Sequence, residues 1–236
     1  MKLKNKLTIV IPCKNESLLI KKTLTLLNMQ HFIDGTRVII ADSSTDNGLT
    51  VDTIKSLSLK NLKIEIIEGG LPAIARNNGA KLAKTPYILF LDADVFVETP
   101  YLFSNMISKM IDNECMLSTV KFRTDDGKFD SIYLLFDIVQ SVHKYFTPFA
   151  VGGFMLFDRF HFNLLKGFDE EDKFAEDYHL SSKVSPEKFF IQNEIVYTTS
   201  RRFENKGTLY MIKMLLKSWW NRNDAKFFKS DHNYWN

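Results

Sequence analysis

Short apolar runs alternate with longer amphipathic segments over the first hundred residues of the chain. Each run has the length and the β-branched content of a buried strand, and the four runs are LTIVIP, RVIIAD, LKIEIIE and PYILFLD. The segments between them carry apolar residues at helical spacing and cover residues 16–29, 49–57 and 72–83. Apolar strands separated by helices predict an α/β fold: a mostly parallel sheet with right-handed crossovers and helices on both faces.

Two later segments also have a helical period. In FDSIYLLFDIVQSVHKYFTPF core packing is the favoured role and contact with a membrane or an acceptor the alternative; its apolar positions are Ile132, Leu135, Phe136, Val139 and Val142. In TLYMIKMLLKSWW docking on the domain is favoured over a lipid interface; its apolar face consists of Leu209, Ile212, Leu216, Trp219 and Trp220.

Composition narrows the class of protein. The 236 residues are 45% hydrophobic and 25% charged, which is enough for a sizeable core in a single domain. The net charge of +3 comes without a long Lys/Arg block, so we expect no nucleic-acid partner. The two cysteines, Cys13 and Cys115, have neither a paired nor a metal-ligand spacing and suit a reducing compartment.

From the sequence we expect neither a targeting segment nor a membrane-spanning one. The basic and apolar start ends at Pro12, too early for a signal peptide, and no run approaches the roughly 18 apolar residues of a spanning helix. We expect a cytoplasmic protein, with peripheral contact to the inner membrane face through the C-terminal helix as an alternative.

Polar residues or glycines follow each of the first four predicted strands. In chain order they are Asn15 and Glu16, then Asp42, then Gly69 and Gly70, then Asp92 and Asp94. Ligands of such sheets bind in the crevice at the carboxyl ends of the strands. The sequence therefore predicts a binding site at this edge.

The segment YILFLDADVFVE sets two carboxylates one residue apart after an apolar run. If the chain stays extended through Ala93, then Asp92 and Asp94 point to the same side. That arrangement suits a hard cation such as Mg²⁺ or Mn²⁺, which leaves positions open for phosphate oxygens. A pair of aspartates that ends the strand and caps the next helix is the alternative, because so short a motif is common.

Four motifs occur in the order of a known enzyme family. VIPCKNE, ADSSTDN, ARNNGAKLAKTPYILFLDADV and GGFMLFDRFHFNLLKGFDEEDKFAEDYHL resemble the family 2 glycosyltransferases over most of residues 6–182. The resemblance implies a Rossmann-like GT-A fold with a C-terminal helical extension, and a nucleotide-sugar donor. It also implies one domain over 1–236: a nucleotide-binding half at about 1–98, an acceptor-side half at about 99–200 and an amphipathic, aromatic extension at about 201–236.

The resemblance further implies which residues bind the donor. The loop from Pro12 through Asn15 to Glu16 would line the base and ribose together with Asp42. Arg76, in the ARNNG match, would lie near the nucleotide and its diphosphate, where the guanidinium fork suits phosphate.

The remaining implied roles are metal binding and base catalysis. Asp92 would approach the ribose or the metal, and Asp94 would ligate Mn²⁺ or Mg²⁺. His232 is a further candidate ligand, since family members often close the site with a C-terminal segment. Asp177, with Glu176 beside it, would be the catalytic base; stabilisation of a helix N-terminus is the alternative role for this pair.

Sugar-transfer chemistry needs the same groups. A cation neutralises the diphosphate leaving group, and inversion needs a base for the proton of the acceptor hydroxyl. We expect an inverting, metal-dependent transferase that uses a nucleotide sugar and a glycan or lipid-linked acceptor. UDP is the favoured nucleotide, with GDP and a retaining mechanism left open.

Two other functions remain alternatives at this stage. One is a haloacid-dehalogenase-like phosphohydrolase, in which Asp92 would be the nucleophile. The other is a sugar- or nucleotide-binding module without turnover. A Rossmann dehydrogenase is disfavoured because no G-x-G-x-x-G follows the first strand.

Overall fold

The computed structural model describes residues 2–222 and 224–230. In this part of the chain a mixed sheet of eight strands lies at the centre, in the order β3-β2-β1-β4-β7-β6-β8-β5. The strands are β1 (Leu7–Cys13), β2 (Thr36–Asp42), β3 (Leu62–Glu68), β4 (Tyr87–Leu91), β5 (Val95–Phe96), β6 (Leu117–Thr124), β7 (Phe154–Asp158) and β8 (Phe189–Thr198).

Helices connect and cover the strands. They are α1 (Ser17–Asn28), α2 (Leu49–Ser56), α3 (Pro72–Leu82), α4 (Leu102–Asp112), α5 (Asp130–His143), α6 (Arg159–Leu164), α7 (Glu176–Ser181), α8 (Arg201–Lys206), α9 (Thr208–Trp220) and α10 (Ala225–Lys229). Short 3₁₀ turns occur at Leu3–Asn5 and Pro186–Lys188.

The first four strands form the parallel part of the sheet, as the sequence predicts. β3, β2, β1 and β4 are parallel neighbours. Beyond β4 the sheet becomes mixed, because β7 runs antiparallel to both β4 and β6, and β5 runs antiparallel to β8. The predicted α/β fold with a mostly parallel sheet and a C-terminal helical extension is confirmed.

Alternating side chains of the strands build a core on each face of the sheet. Ile9 packs with Leu24 of α1 and Met106 of α4 on one face. Val10 packs with Ala80 of α3 and Phe162 of α6 on the other. Adjacent residues of β1 thus serve opposite cores, as a strand buried on both sides requires.

Close packing of α3 on β1 depends on Gly79. A Cβ atom added at Gly79 would lie 2.3 Å from Cγ1 of Val10, far inside van der Waals contact. The missing side chain therefore lets the helix approach the strand. This contact sets the position of Arg76, one turn earlier on the same helix.

The D-x-D segment does not continue β4. The strand ends at Leu91, and the amide of Val95 donates a hydrogen bond to the carbonyl oxygen of Asp92 at 3.2 Å, which closes a turn. The condition of an extended chain through Ala93 is therefore not met. The turn redirects the chain so that β5 can pair with β8 instead of prolonging β4.

Neither late amphipathic helix buries its predicted apolar face. In α5 the described buried residue is Gln140, so core packing is the wrong expectation for this face. Among the side chains of α9 that the structure describes, Met214 and Ser218 are buried, while Leu216 is 60% and Trp220 78% exposed. The helix therefore rests on the domain through a different face from the one the sequence predicts. None of the helices in the described part of the chain has the length and hydropathy needed to cross a membrane.

Candidate active site

The loops after β1 and β2 are tied together by side chains. Asn15 has a left-handed backbone (φ 56°). Its amide donates to Oγ of Ser44 at 2.8 Å, and its Oδ1 accepts from the amide of Thr45 at 2.8 Å. The hydroxyl of Ser44 also donates to Oδ1 of Asp42 at 2.6 Å. Pro12 lies in β1 beside β2, so the residues predicted to line the nucleotide share one edge.

A buried arginine lies at the centre of the site. Arg76 is 2% exposed and projects from the helix that follows β3. Its Nη2 donates to Oδ1 of Asp92 at 2.7 Å, and its Nη1 donates to Oε1 of Glu176 at 2.5 Å. Burial alone would lower the pKa of Arg76, but the carboxylates of Asp92, Glu176 and Asp177 raise it above its ordinary value. The guanidinium therefore stays charged and joins β4 to α7.

Helix α7 presents two acidic residues at its first turn. Ala175, just before it, has a left-handed backbone (φ 49°). Oδ2 of Asp177 accepts the amide of Gly152 at 2.6 Å, and Oδ1 accepts the amide of Tyr178 at 2.7 Å. Burial raises the pKa of Glu176 to about 7 and also raises that of Asp177, in both cases against the opposing effect of the nearby arginine. Both carboxyls therefore hold protons more tightly than they would in water.

Gly152 makes room for this cluster. A Cβ atom at that position would lie 2.9 Å from Nη2 of Arg76 and 3.1 Å from Oδ2 of Asp177. The carbonyl oxygen of Gly152 also accepts from Nη2 of Arg76 at 3.4 Å. From the sequence alone, a glycine here would either let a sugar approach the backbone or form a β-bulge. In the structure, the groups that approach the backbone at Gly152 are Arg76 and Asp177.

A second ion cluster surrounds Asp94. Arg201 of α8 donates to both carboxylate oxygens of Glu16, at 3.1 and 2.5 Å, and its Nη2 lies 3.8 Å from Oδ2 of Asp94. Burial raises the pKa of Asp94 to about 6, with further contributions from the negative charges of Asp92 and Glu16 and opposing ones from Arg202 and Arg201. The segment after β8 therefore packs against the D-x-D turn.

These carboxylates fit a divalent cation. Asp92, Asp94 and Glu16 offer hard oxygen donors, the type that Mg²⁺ and Mn²⁺ prefer. The raised pKa of Asp94 reflects burial among like charges, which a bound cation would relieve. The other predicted ligand, His232, lies outside the described residues.

A closer group of potential ligands is formed by α7 and the turn that precedes it. The ligand atoms of Asp169, Asp172 and His179 are all within 4.8 Å of one another. Nδ1 of His179 is 2.6 Å from Oδ2 of Asp172, and Nζ of Lys229 is 3.6 Å from Oδ2 of Asp169. The ring of His179 also stacks on Phe228 with centroids 4.9 Å apart. The group already contains its own cation and hydrogen bond, and these contacts attach α10 to the domain.

Asn77 has a structural role next to the site. Its amide group exchanges hydrogen bonds with the backbone of Phe168, at 2.9 Å to the carbonyl oxygen and 3.0 Å from the amide. This holds the GFDEED turn against α3.

The structure thus brings the predicted acidic residues after β1 and β4 and on α7, together with Arg76, into two adjoining clusters and adds two contributors. Arg76, Asp92, Glu176 and Asp177 form one; Glu16 and Asp94 belong to the other. Pro12, Asn15 and Asp42 lie in the loops and strands beside them. The two contributors are Gly152 and Arg201, whose partners the sequence does not predict. The Gly-Gly pair before β7 and the Arg-Arg pair after β8 were visible in the sequence, but nothing local indicates what they contact.

Known proteins resemble this chain in sequence and in fold. A family model described as "Glycosyl transferase family 2" matches residues 8–165. This range includes the D-x-D turn and ends before α7. Amylovoran biosynthesis glycosyltransferase AmsB of Erwinia amylovora is 36% identical over 90 residues, which is 37% of this chain and 30% of the relative.

A second curated relative matches with similar coverage. Poly(ribitol-phosphate) beta-N-acetylglucosaminyltransferase TarP of Staphylococcus aureus is 32% identical over 95 residues, 38% of this chain and 28% of the relative. The chain spans about a third or less of the length of the curated relatives it matches.

Solved structures share the fold. Mannosyltransferase PcManGT from Pyrobaculum calidifontis, solved with GDP-Man and Mn²⁺, has a TM-score of 0.67 at 18% identity, over 90% of this chain and 64% of that one. S. aureus TarS 1–349, solved with UDP-GlcNAc, has a TM-score of 0.63 at 20% identity, over 82% of this chain and 58% of that one.

Proposed function

The chain belongs to glycosyl transferase family 2, and from that membership we propose that it transfers a sugar from a nucleotide-diphosphate donor to a hydroxyl group of a glycan or a lipid-linked acceptor. The observation that carries the proposal is the pair of adjoining ion clusters at the carboxyl edge of the sheet. They bring Asp92, two residues before Asp94, within electrostatic range of Asp177 on a separate segment. Sugar transfer needs a cation site and a base from different parts of the chain.

The donor nucleotide would bind across the ends of β1, β2 and β4. Asp42 and the Asn15 loop would meet the base and ribose, and Arg76 would hold Asp92 in place beside the diphosphate. UDP is the nucleotide we favour, and GDP is the next to test. Both kinds of donor are bound by proteins of this fold, as UDP-GlcNAc in TarS and GDP-Man in PcManGT.

Asp94, with Asp92, would hold the divalent cation. The cation would neutralise the charge of the departing diphosphate when bound. Nη2 of Arg201 lies 3.8 Å from Oδ2 of Asp94, so its positive charge is already close to the proposed cation site. Binding of the cation would therefore weaken the contact between α8 and the D-x-D turn.

Asp177 would act as the catalytic base of an inverting transfer. The acceptor oxygen forms a bond to the anomeric carbon, its proton passes to the carboxylate of Asp177, and the bond from carbon to the diphosphate oxygen breaks with its electrons on the nucleotide. The backbone amides of Gly152 and Tyr178 orient the carboxylate. Its raised pKa strengthens it as a proton acceptor.

The phosphohydrolase alternative assigns Asp92 a nucleophilic role. In the structure Oδ1 of Asp92 accepts a hydrogen bond from Arg76 at 2.7 Å in an ion pair. Such a partner reduces the availability of that oxygen for attack. The family match over residues 8–165 also favours the transferase.

Calorimetric titration with UDP and GDP, each with Mn²⁺ and with EDTA, tests the proposal. We expect one nucleotide to bind with Mn²⁺ and to bind much more weakly with EDTA. Equal binding in both conditions would remove the metal from the proposal, and failure of both nucleotides with Mn²⁺ would contradict the proposed donors.

A further inference from the structure

Helices α5 and α9 lie side by side on the surface. Where the two helices begin, the ring of Phe203, in α8 just before α9, stacks on that of Phe129, the residue before α5, with centroids 4.9 Å apart. At the other end Trp219 meets His143 edge-on at 6.0 Å. The outward faces of the two helices therefore adjoin, and together with residues 144–146 and 221–222 they are called the α5–α9 surface below.

The α5–α9 surface exposes an unusual number of large apolar side chains. Ile138 is 62% exposed, Val142 56%, Phe146 77%, Leu209 65%, Leu216 60% and Trp220 78%. Single exposed apolar residues are ordinary, but contiguous patches of this kind mark a contact with a partner or a lipid phase.

The exposed apolar residues of α9 form one face that runs along the helix. Leu209, Ile212, Leu216 and Trp220 follow the i, i+3, i+7, i+11 spacing of one helical face. A helix that served only the core would turn this face inward. Here Met214 and Ser218 face the domain instead.

Basic side chains border the apolar face. Lys213 and Lys217 of α9 are exposed, make no ion pair with any residue the structure describes, and share the helix with no acidic residue. Arg222 lies over the ring of Trp219 at 5.2 Å, and Lys144 lies over that of Tyr145 at 4.9 Å. Tryptophan and lysine at the rim of an apolar face are typical of helices that lie in the headgroup region of a bilayer.

A groove continues the same surface between β6 and α5. Its volume is about 600 Å³, and Ile138, Val142 and Phe146 form its apolar wall. Lys121 lies in the groove as well, and the carboxylate of Asp137 there is paired with Arg123 at 2.8 Å, so the groove keeps a net positive charge. An apolar wall with a cationic group nearby suits an acyl chain with its anionic headgroup.

We propose that the α5–α9 surface binds an anionic bilayer, with α9 lying in the plane of the headgroups. Positive charge at the edge of an apolar face matches anionic lipid. A symmetric contact with a second copy would bring Lys213 and Lys217 of both chains into one interface, where α9 offers no acidic residue to pair with them, which is unfavourable.

Membrane contact would bring the candidate site close to the lipid surface. Phe149 precedes Gly152 by three residues. Its ring packs against those of Phe136 in α5 and Tyr178 in α7, with centroid distances of 5.4 and 5.9 Å. Tyr178 directly follows Asp177. The proposal itself does not depend on the sugar or the nucleotide.

Vesicle flotation of the full chain tests the proposal. Vesicles of phosphatidylcholine alone are compared with vesicles that also contain phosphatidylglycerol, at low and high salt. We expect binding only to the anionic vesicles, weakened by salt. Leu216→Glu should reduce binding about tenfold or more, whereas Leu164→Glu, a matched exposed leucine on α6 at 66% exposure, should bind as the parent does.

A charge-matched pair of variants separates the surface from net charge. Lys213→Gln with Lys217→Gln should weaken binding about thirtyfold, because each lysine near an anionic surface contributes about fivefold. Lys55→Gln with Lys60→Gln removes the same charge elsewhere and should leave binding intact. Equal loss in both pairs would overturn the proposal.

Three further results would also overturn it: no binding to anionic vesicles, equal binding to both kinds of vesicle, or self-association that Leu216→Glu abolishes. The last would assign the surface to a second copy of the chain. Nucleotide binding is measured on every variant, so that failure of the lipid contact and failure of the proposed transfer are told apart.

Discussion

One guanidinium at the candidate site faces more carboxylates than it can neutralise. Arg76 pairs with Asp92 and Glu176 and lies close enough to Asp177 for its charge to be felt there. Removing one partner of such a buried network costs about 3–5 kcal/mol, because the remaining charge is left unpaired. The arginine is therefore as much a structural requirement for the proposed base as a candidate phosphate ligand.

Gly152→Ala should damage the site without a change of charge. The new Cβ would lie 2.9 Å from Nη2 of Arg76 and 3.1 Å from Oδ2 of Asp177, so one of these groups must move. We expect a turnover loss of about tenfold or more and a fall of about 1–3 kcal/mol in the free energy of unfolding. Gly153→Ala, which would meet only apolar atoms at 3.2 Å and beyond, is the control and should lose less activity.

Asp94→Asn should stabilise the protein while weakening its proposed metal site. The folded-state pKa of about 6 lies above the ordinary value of 3.8, so ionisation of Asp94 opposes folding. That penalty is absent below about pH 3.8, grows as the pH rises and is complete above about pH 6. Because the side chain is 24% exposed, we expect a gain of only about 1–2 kcal/mol at pH 7.5 and little at pH 4.5.

Urea unfolding of Asp94→Asn and the parent at the two pH values checks this, with EDTA present. A variant that is less stable than the parent at pH 7.5 would show that Arg201 and Arg202 outweigh burial at this carboxyl. Loss of Mn²⁺-dependent nucleotide binding in the same variant is the second expectation.

Residue identities were predictable where the chemistry is local, and their partners were not. Asp92, Asp94 and Asp177 were chosen from motif and position. The contact of Arg76 with Gly152 spans 76 positions, and that of Glu16 with Arg201 spans 185. Pairings over such distances follow from the path of the whole chain, which a local pattern does not contain.

At the scale of elements, periodicity predicts the buried units and fails at the surface ones. β1 to β4 and α1 to α3 occur where the pattern indicates. The turn at Asp92 to Asp94 was missed because its cause, the pairing of β5 with β8, lies a hundred residues away. The apolar spacing of α5 and α9 predicts both helices but not the side of each helix that faces the domain. A helical period carries no information about what covers the apolar face.

The spacing of α3 and β1 provides a test at this scale. Gly79→Ala should destabilise the protein by about 1–3 kcal/mol, because its Cβ would lie 2.3 Å from Cγ1 of Val10. Val10→Ala removes the obstructing methyl groups. The double variant should therefore be more stable than the sum of the single losses predicts, by about 1 kcal/mol in a cycle of urea-unfolding measurements. Strict additivity would mean that this contact does not limit the approach of the helix.

At the scale of the whole molecule, the sheet links the ends of the chain at one site. β8 inserts between β6 and β5, and α8, directly after it, carries Arg201 to the carboxylates of Glu16 and Asp94. A ligand that binds across these segments stabilises the folded chain through all of them. From the sequence, this link could be predicted only through the family resemblance, because family members often close the site with a C-terminal segment.

Nucleotide and metal together should therefore raise the melting temperature by more than the sum of the two separate shifts. At a ligand concentration of about a hundred times Kd the gain is about 2.7 kcal/mol. For a chain of this size that corresponds to a rise of about 5–10 °C. Thermal scans with UDP, Mn²⁺, both, and both plus EDTA measure it. Additive, independent shifts would argue against a shared site.

The most direct test of the account compares Asp177→Asn with Asp94→Ala in two measurements: calorimetric binding of UDP with Mn²⁺, and release of UDP from a UDP-sugar in the presence or absence of acceptors. We predict that Asp177→Asn binds the nucleotide within about twofold of the parent but turns over about 10²–10⁴-fold more slowly, the range that a general base contributes. Asp94→Ala should lose metal-dependent binding itself. Equal loss of binding in both variants, or undiminished turnover in Asp177→Asn, would contradict the assignment of metal site and base.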